Sequence, residues 1–233
     1  MSETLVVNEI FKSIQGESTR AGLPCIFVRL AGCNLHCSWC DTAYAFTEGT
    51  RMALDEIMDR VASFDCNLVE VTGGEPLIRS NSLLLMTQLA DRGHTVLLET
   101  NGALDIGPVD ARVIRIMDLK CPSSGECEQN RWENIPLLRA TDEVKFVIAT
   151  REDYDWARRQ LDRWRLMDIC TVLFSWAHPL PPARRDPSLK STPPGQHLIA
   201  MHQLVERVLA DKLPVRFQLP MHKYIWGPEA RGV

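Results

Sequence analysis

An α/β fold with a mostly parallel sheet is predicted by three observations. Short β-rich apolar runs alternate with stretches of helical period along most of the chain. The 233 residues are 45% hydrophobic and 24% charged, the balance of a water-soluble protein with a substantial core, so residues 1–233 are read as one domain. Glycines, cysteines and hydrogen-bonding side chains gather where the strands should end, the place where ligands collect in such sheets.

Residues 5–11 read as a first strand, followed by the turn-like Gln15-Gly16-Glu17 and a second strand over 25–30 that stops before Gly32. Apolar spacing predicts a helix over 54–64, and the run 68–72 returns as a strand ending in Gly73-Gly74-Glu75-Pro76. A helix over 81–92 precedes strands at 95–99, 113–119 and 143–149. Residues 152–165 read as helix, 171–174 as extended, 196–209 as helix and 215–219 as a last extended run. The segment 179–195 holds six of the 14 prolines and is therefore a surface excursion.

Charge narrows the function. With 26 Lys and Arg against 30 Asp and Glu, the net charge is −4, too acidic for a broad nucleic-acid surface, so no nucleic-acid partner is expected. The longest uncharged apolar stretch, 170–177, falls well short of the about 20 residues that span a bilayer. The start of the chain, Met1-Ser2-Glu3-Thr4, lacks a secretory pattern. No membrane and a cytoplasmic address are expected. A chain of this length needs no disulfide staples, so the eight cysteines suit a reducing compartment and a bound metal.

The strongest motif is Cys33-Asn34-Leu35-His36-Cys37-Ser38-Trp39-Cys40, a C-x3-C-x2-C loop. Three thiolates on one short loop can ligate three irons of a 4Fe-4S cluster and leave the fourth open, whereas clusters that only carry electrons usually have a fourth thiolate. A zinc knuckle completed by His36 or another cysteine is the alternative, although zinc motifs commonly draw paired ligands from two separated segments.

The loop, followed by Gly73-Gly74-Glu75-Pro76 at the end of the next strand, resembles the radical S-adenosylmethionine (SAM) superfamily. That resemblance implies an incomplete, TIM-like barrel of about six parallel strands with few helices, plus a C-terminal strand. It also implies that SAM chelates the open iron and that the reduced cluster cleaves it to a 5'-deoxyadenosyl radical. Ile14-Gln15-Gly16-Glu17, Arg29, Cys40-Asp41-Thr42, residues 118–125 and His222-Lys223-Tyr224 narrow the likeness. Together they resemble the 7-carboxy-7-deazaguanine synthase family from Asn8 to Gly227. Its members are lyases that convert 6-carboxy-5,6,7,8-tetrahydropterin to 7-carboxy-7-deazaguanine with loss of ammonia, on the route to queuosine and related 7-deazapurines.

By that resemblance, Trp39 and Asp41 lie near the adenine and Gly74 and Glu75 near the methionine. Cys121, Pro122 and Ser123 line the cofactor site from one strand end, and Ser175, Trp176, Ala177 and His178 from another. Ile14, Gln15, Gly16, Glu17, Arg29, Thr72, His222 and Pro228 would contact the pterin, with Arg29 offering a forked cation to its carboxylate. Thr42 would hold Mg²⁺, and a homodimer reduced by flavodoxin or a similar donor is implied. One departure stands out: many members place a glutamine where this chain has Pro220. A glycyl-radical enzyme activase shares the cysteine loop but has little use for Arg29, the Gln-Gly-Glu turn or the His-Lys-Tyr tail. A non-catalytic zinc-binding module is the rival from another class.

Overall fold

In the computed structural model, which describes residues 3–233, β1 (Thr4–Ile14) and β2 (Pro24–Leu30) form an antiparallel hairpin with a bulge between Val7 and Glu9. A short β3 (Thr50–Ala53) pairs antiparallel with the outer side of β1. Then come β4 (Leu68–Gly73), β5 (Thr95–Thr100), β6 (Ile114–Asp118), β7 (Glu143–Ile148), β8 (Thr171–Trp176) and β9 (Arg216–Gln218). From β2 to β9 every pair of neighbours is parallel, in the order β3-β1-β2-β4-β5-β6-β7-β8-β9. The helices are α1 (Leu54–Ala62), α2 (Asn81–Asp91), α3 (Arg151–Trp164), α4 (Leu166–Ile169), α5 (Met201–Ala210) and α6 (Met221–Ile225). The β5–β6 connection has no helix, and β6–β7 carries only 3-10 turns, which makes this a barrel short of helices.

Period-two alternation divides each parallel strand between two environments. Val69 and Val71 of β4, Val96 and Leu98 of β5, and Val144, Phe146 and Ile148 of β7 face the main core beneath the helices. The opposite row is apolar chiefly at its base, where Cys25, Phe27, Leu68, Leu97 and Ile116 form a small separate cluster against Phe11. The Phe11 and Phe27 rings stack at 5.1 Å there. Above this floor the inward row turns polar: Arg29, Glu70, Thr72, Glu99, Asp118, Lys145 and Ser175. The alternation therefore builds a plugged base and an open polar mouth in one stroke.

Three details differ from the expectations. Strand β3 is unheralded because Thr50 and Arg51 are exposed and the run is too short to show alternation. The helix expected from residue 196 begins at Met201, since Leu198 instead bridges Thr150 and the Gln203 side chain accepts the Ala200 N–H. Residues after Pro220, to which no element was assigned, form α6. This last turn closes the seam between the first and last parts of the sheet: Met221 N–H donates to Gly16 O (3.1 Å) and Ser18 N–H to Gln218 Oε1 (2.9 Å). A Cβ on Gly16 would stand 2.8 Å from His222 Nδ1, so glycine is required for that closure. Helix α3 starts on a capping box between Thr150 and Asp153, a device worth about 1 kcal/mol. Among the described residues, no helix is long and apolar enough to cross a membrane.

Candidate active site

The polar mouth is a cavity at the carboxyl ends of the parallel strands, and Cys33, Cys37 and Cys40 all lie on its wall. The loop that carries them leaves β2 through Gly32, whose φ of +97° favours glycine and whose N–H donates to Ala45 O (2.8 Å). It is anchored at its middle: Ser38 N–H donates to Ser124 O (2.9 Å), and His36 N–H to Glu126 Oε1 (2.7 Å). Lys190 in turn pairs with Glu126 at 2.6 Å. Burial pushes the Cys37 thiol up to about 11 and the Cys40 thiol to about 12, with the Lys120 ammonium pulling the other way. Thiols held neutral in the free protein are poised to release protons to a metal that replaces them.

Among the described residues, no three His, Cys, Asp or Glu side chains converge tightly enough to grip a single ion. Three thiols facing one cavity suit the separated corners of a cluster better than the tetrahedron of one zinc. The glycines beside them form a cradle. A Cβ on Gly73 would overlap the Leu30 backbone, and one on Gly74 would overlap Gly32 O and crowd Cys33, so only bare backbone can approach the loop this closely. Asn101 joins the same wall, its Nδ2 donating to Asn34 Oδ1 (2.9 Å) and lying 3.9 Å from Cys33 Sγ.

Four expected residues lie off this wall. Glu75 does not line the cavity: it is fully buried, and its carboxylate accepts from Leu77 N (3.0 Å), Thr100 Oγ1 (2.9 Å) and Asn101 N (2.6 Å). It binds the end of β4 to the end of β5, and Gly73 and Gly74 supply the wall. Cys121, Pro122 and Ser123 also lie off the wall. The chain turns outward after Asp118, so Cys121 enters the main core, while Ser123 N–H donates to Asp153 Oδ1 (2.8 Å). Their place is filled by Asp118 and Lys120, paired at 2.7 Å. Burial opposes the Lys120 charge, but Asp118 and Cys37 outweigh it and hold the ammonium protonated. Its Nζ lies 5.0 Å from the centre of the Trp39 ring, whose own Nε1–H is buried without a partner among the described residues.

The other expected residues meet in one cavity: Trp39, Asp41, Thr42, Thr72, Ser175, Trp176, Ala177 and His178, with Ile14, Gln15, Gly16, Glu17, Arg29, His222 and Pro228. Their partners add detail. Arg29 Nε donates to Glu9 Oε1 (2.7 Å), which also accepts from the Tyr44 hydroxyl (3.1 Å). Thr42 Oγ1 donates to Asp41 Oδ1 (2.8 Å), and Lys223 pairs with the same carboxylate. Despite burial, Lys223 and these hydrogen bonds hold Asp41 far below the usual carboxylate range. Pro220 precedes α6 on the wall, and Gln218 reaches Glu17 instead, Nε2 to Oε2 at 3.3 Å.

Sequence reasoning missed Glu70, Glu99, Lys145 and Tyr44 altogether, and it placed Asn101, Asp118 and Lys120 at strand ends facing the pocket without assigning them a role. Lys145 Nζ pairs with Glu17 (3.0 Å) and with Glu99. Burial works against the Glu99 charge, yet Lys145 draws that carboxyl down to about 2. Their signal was present in the strands. A charged residue flanked by apolar ones, as in Val69-Glu70-Val71 and Val144-Lys145-Phe146, is out of place in a buried strand unless it faces a polar lumen.

The comparisons agree with this geometry. Residues 27–179 match the model of the Radical SAM superfamily. The chain is 46% identical to the 7-carboxy-7-deazaguanine synthase of Chlorobaculum tepidum over 98% of this chain and 97% of that one. It is 43% identical to the synthase of that name from Koribacter versatilis, over 97% and 99%. Among solved structures, QueE from Escherichia coli superposes with a TM-score of 0.71 at 17% identity, covering 94% of this chain and 95% of that one, a likeness of fold.

Proposed function

Because the chain belongs to the 7-carboxy-7-deazaguanine synthase family of the radical SAM superfamily, we propose that its cavity converts 6-carboxy-5,6,7,8-tetrahydropterin to 7-carboxy-7-deazaguanine with loss of ammonia. The protein is a radical SAM lyase whose cofactors are a 4Fe-4S cluster and SAM. One observation carries the reading of the site: three cysteines of a single loop open, beside a bare glycine cradle, onto a lumen lined with paired charges. When bound, the cluster and SAM supply a carbon-centred radical able to take hydrogen from an unactivated position.

The remaining work belongs to the chain. Cys33, Cys37 and Cys40 hold the cluster, and Gly73 and Gly74 offer backbone groups to the methionine end of SAM. Trp39 and the segment from Ser175 to His178 shape the nucleoside side. Arg29, kept charged by Tyr44 and Glu9 against burial, is the fork for the pterin carboxylate. Thr42 is the Mg²⁺ ligand, with Lys223 the cation already beside it on Asp41. Gln15, Glu17, Thr72 and His222 grip the heterocycle, and burial keeps the His222 imidazole neutral, able to exchange a proton with the ring. Lys145 fixes Glu17 and Glu99 on the far wall. The floor of Phe11, Phe27 and Leu97 excludes water from beneath. We further assign one domain over 1–233, a homodimeric state, a flavodoxin-type reductant and a cytoplasmic location.

Anaerobic protein with a reconstituted, reduced cluster, supplied with SAM and the carboxypterin, should release 7-carboxy-7-deazaguanine and ammonia. SAM consumed with no deazaguanine formed would remove the substrate assignment.

A further inference from the structure

Glu70 lies mid-strand in β4 between Val69 and Val71 and is only 3% exposed, an inhospitable place for a carboxyl group. Its Oε2 accepts from Gln15 Nε2. Its Oε1 has no protein donor among the described residues, and the residue forms part of the cavity wall. Glu17 and Glu99 face the same space, and the one ammonium among them, Lys145, is already shared by those two. Burial and the neighbouring Glu99 raise the Glu70 carboxyl well above its ordinary range. A half-satisfied carboxyl that the fold does not need is a site waiting for a donor.

The Gln15 amide beside it is fixed in both position and sense. Its backbone N–H donates to Leu23 O and its carbonyl accepts from Gly22 N, both at 2.8 Å. Glu17 N–H donates to its Oε1 (3.1 Å), which turns Nε2 toward Glu70. The pair is thus a rigid plate whose free acceptor looks into the lumen.

We propose that Glu70 is a specificity-determining residue for the pterin, its Oε1 accepting from the exocyclic amino group of the pyrimidine edge and its Oε2, while still held by Gln15, accepting from the adjacent ring N–H. The inference rests on the function proposed above. Two neighbouring N–H donors in one plane are the pattern that a carboxyl group matches and a hydrocarbon cannot.

The test compares the carboxypterin with its analogue bearing hydrogen in place of the exocyclic amine, on the reconstituted parent, Glu70→Gln and Glu70→Val. The parent should favour the amino substrate by about 100-fold or more in kcat/KM, as a site built around a donor rejects the analogue that lacks it. Both variants should lose most of that preference through a raised KM and weaker equilibrium binding of the carboxypterin. Iron content and SAM cleavage without pterin should stay at the parent level. Glu70→Gln keeps the shape of the side chain, so a preference lost only in Glu70→Val would assign Glu70 to packing and overturn the inference. Variants that both keep the preference overturn it also. A parent that yields no 7-carboxy-7-deazaguanine overturns the function and this inference together, whereas a parent that turns over beside indifferent variants overturns this inference alone.

Discussion

Two buried charge clusters in this molecule share ingredients and differ in completeness. On the outer face of the sheet, Asp142 accepts from Arg115 N (3.0 Å), Nε (3.0 Å) and Nη2 (2.5 Å) and from Arg139 N (2.8 Å) and Nη2 (3.2 Å). The guanidinium groups turn their remaining N–H groups to the carbonyls of Leu137 and Val113, both at 2.6 Å. Both oxygens of Asp142 are thereby satisfied, and the cluster staples β6 to the start of β7 where no helix joins them. In the lumen, Glu17 and Glu99 share Lys145, Glu70 Oε1 has no protein donor among the described residues, and Asp118 Oδ1 is buried without a partner among them. A closed network is architecture, while an open one beside a cavity has kept bonds in reserve for a ligand.

The comparison can be broken most severely at the cluster loop. Cys37→Ala should abolish iron and sulfide retention and product formation, and leave the far-ultraviolet circular dichroism of the metal-free protein close to the parent's. Asp142→Ala should do the reverse. The buried Arg115 guanidinium and the partly exposed one of Arg139 would lose their counter-charge, so stability in urea should fall by about 3–5 kcal/mol, while the folded fraction keeps the parent KM. Lys145→Met should combine both effects, with a raised KM for the carboxypterin and a lower urea midpoint, because Glu17 and Glu99 are left facing each other.

The pH dependence separates Asp142 from Glu70 by sign. Burial opposes the charge on Asp142, but Arg115 and Arg139 hold its carboxyl below the ordinary value. Its stabilisation is therefore complete above the unfolded value of about 3.9 and is lost as the pH falls. Asp142→Asn should flatten the acid limb of a stability–pH curve. Glu70 runs the other way, since a raised folded value makes stability fall as pH rises from the unfolded value of about 4.3. Glu70→Gln should remove that decline in ligand-free protein measured from pH 5 to pH 8. The smallest effect is expected at Arg231, whose guanidinium lies 3.8 Å from the centre of the Tyr44 ring and pairs with Glu48 at 3.0 Å. Arg231→Ala should change KM by no more than about five-fold, as an exposed cation–π contact is worth about 0.5–1 kcal/mol.

What the sequence disclosed was contiguous. The cysteine loop, the Gly-Gly-Glu-Pro strand end and the Gln15 turn each lie within a few residues, and each reaches the cavity. The Glu17–Lys145–Glu99 cluster was hidden because its members come from three separate parts of the sheet and meet only when it curls. Cys121, Pro122 and Ser123 lie off the wall for a related reason. Strand-end logic locates the turn after β6 but not its direction, and Lys120 takes the inward side. Glu75 belongs to the right motif, yet the carboxylate is spent on Thr100 and Asn101, leaving the neighbouring backbone to face the cavity. Strand β3 was too short for any periodicity to register.

The seam closed by α6 bears on how the enzyme is made. Residues 216–226 are synthesised after every other strand of the sheet, so the wall that they complete cannot close until the end of the sheet has been made. The hydrogen bonds at Gly16 and Ser18 therefore join the earliest-made and latest-made parts of the sheet.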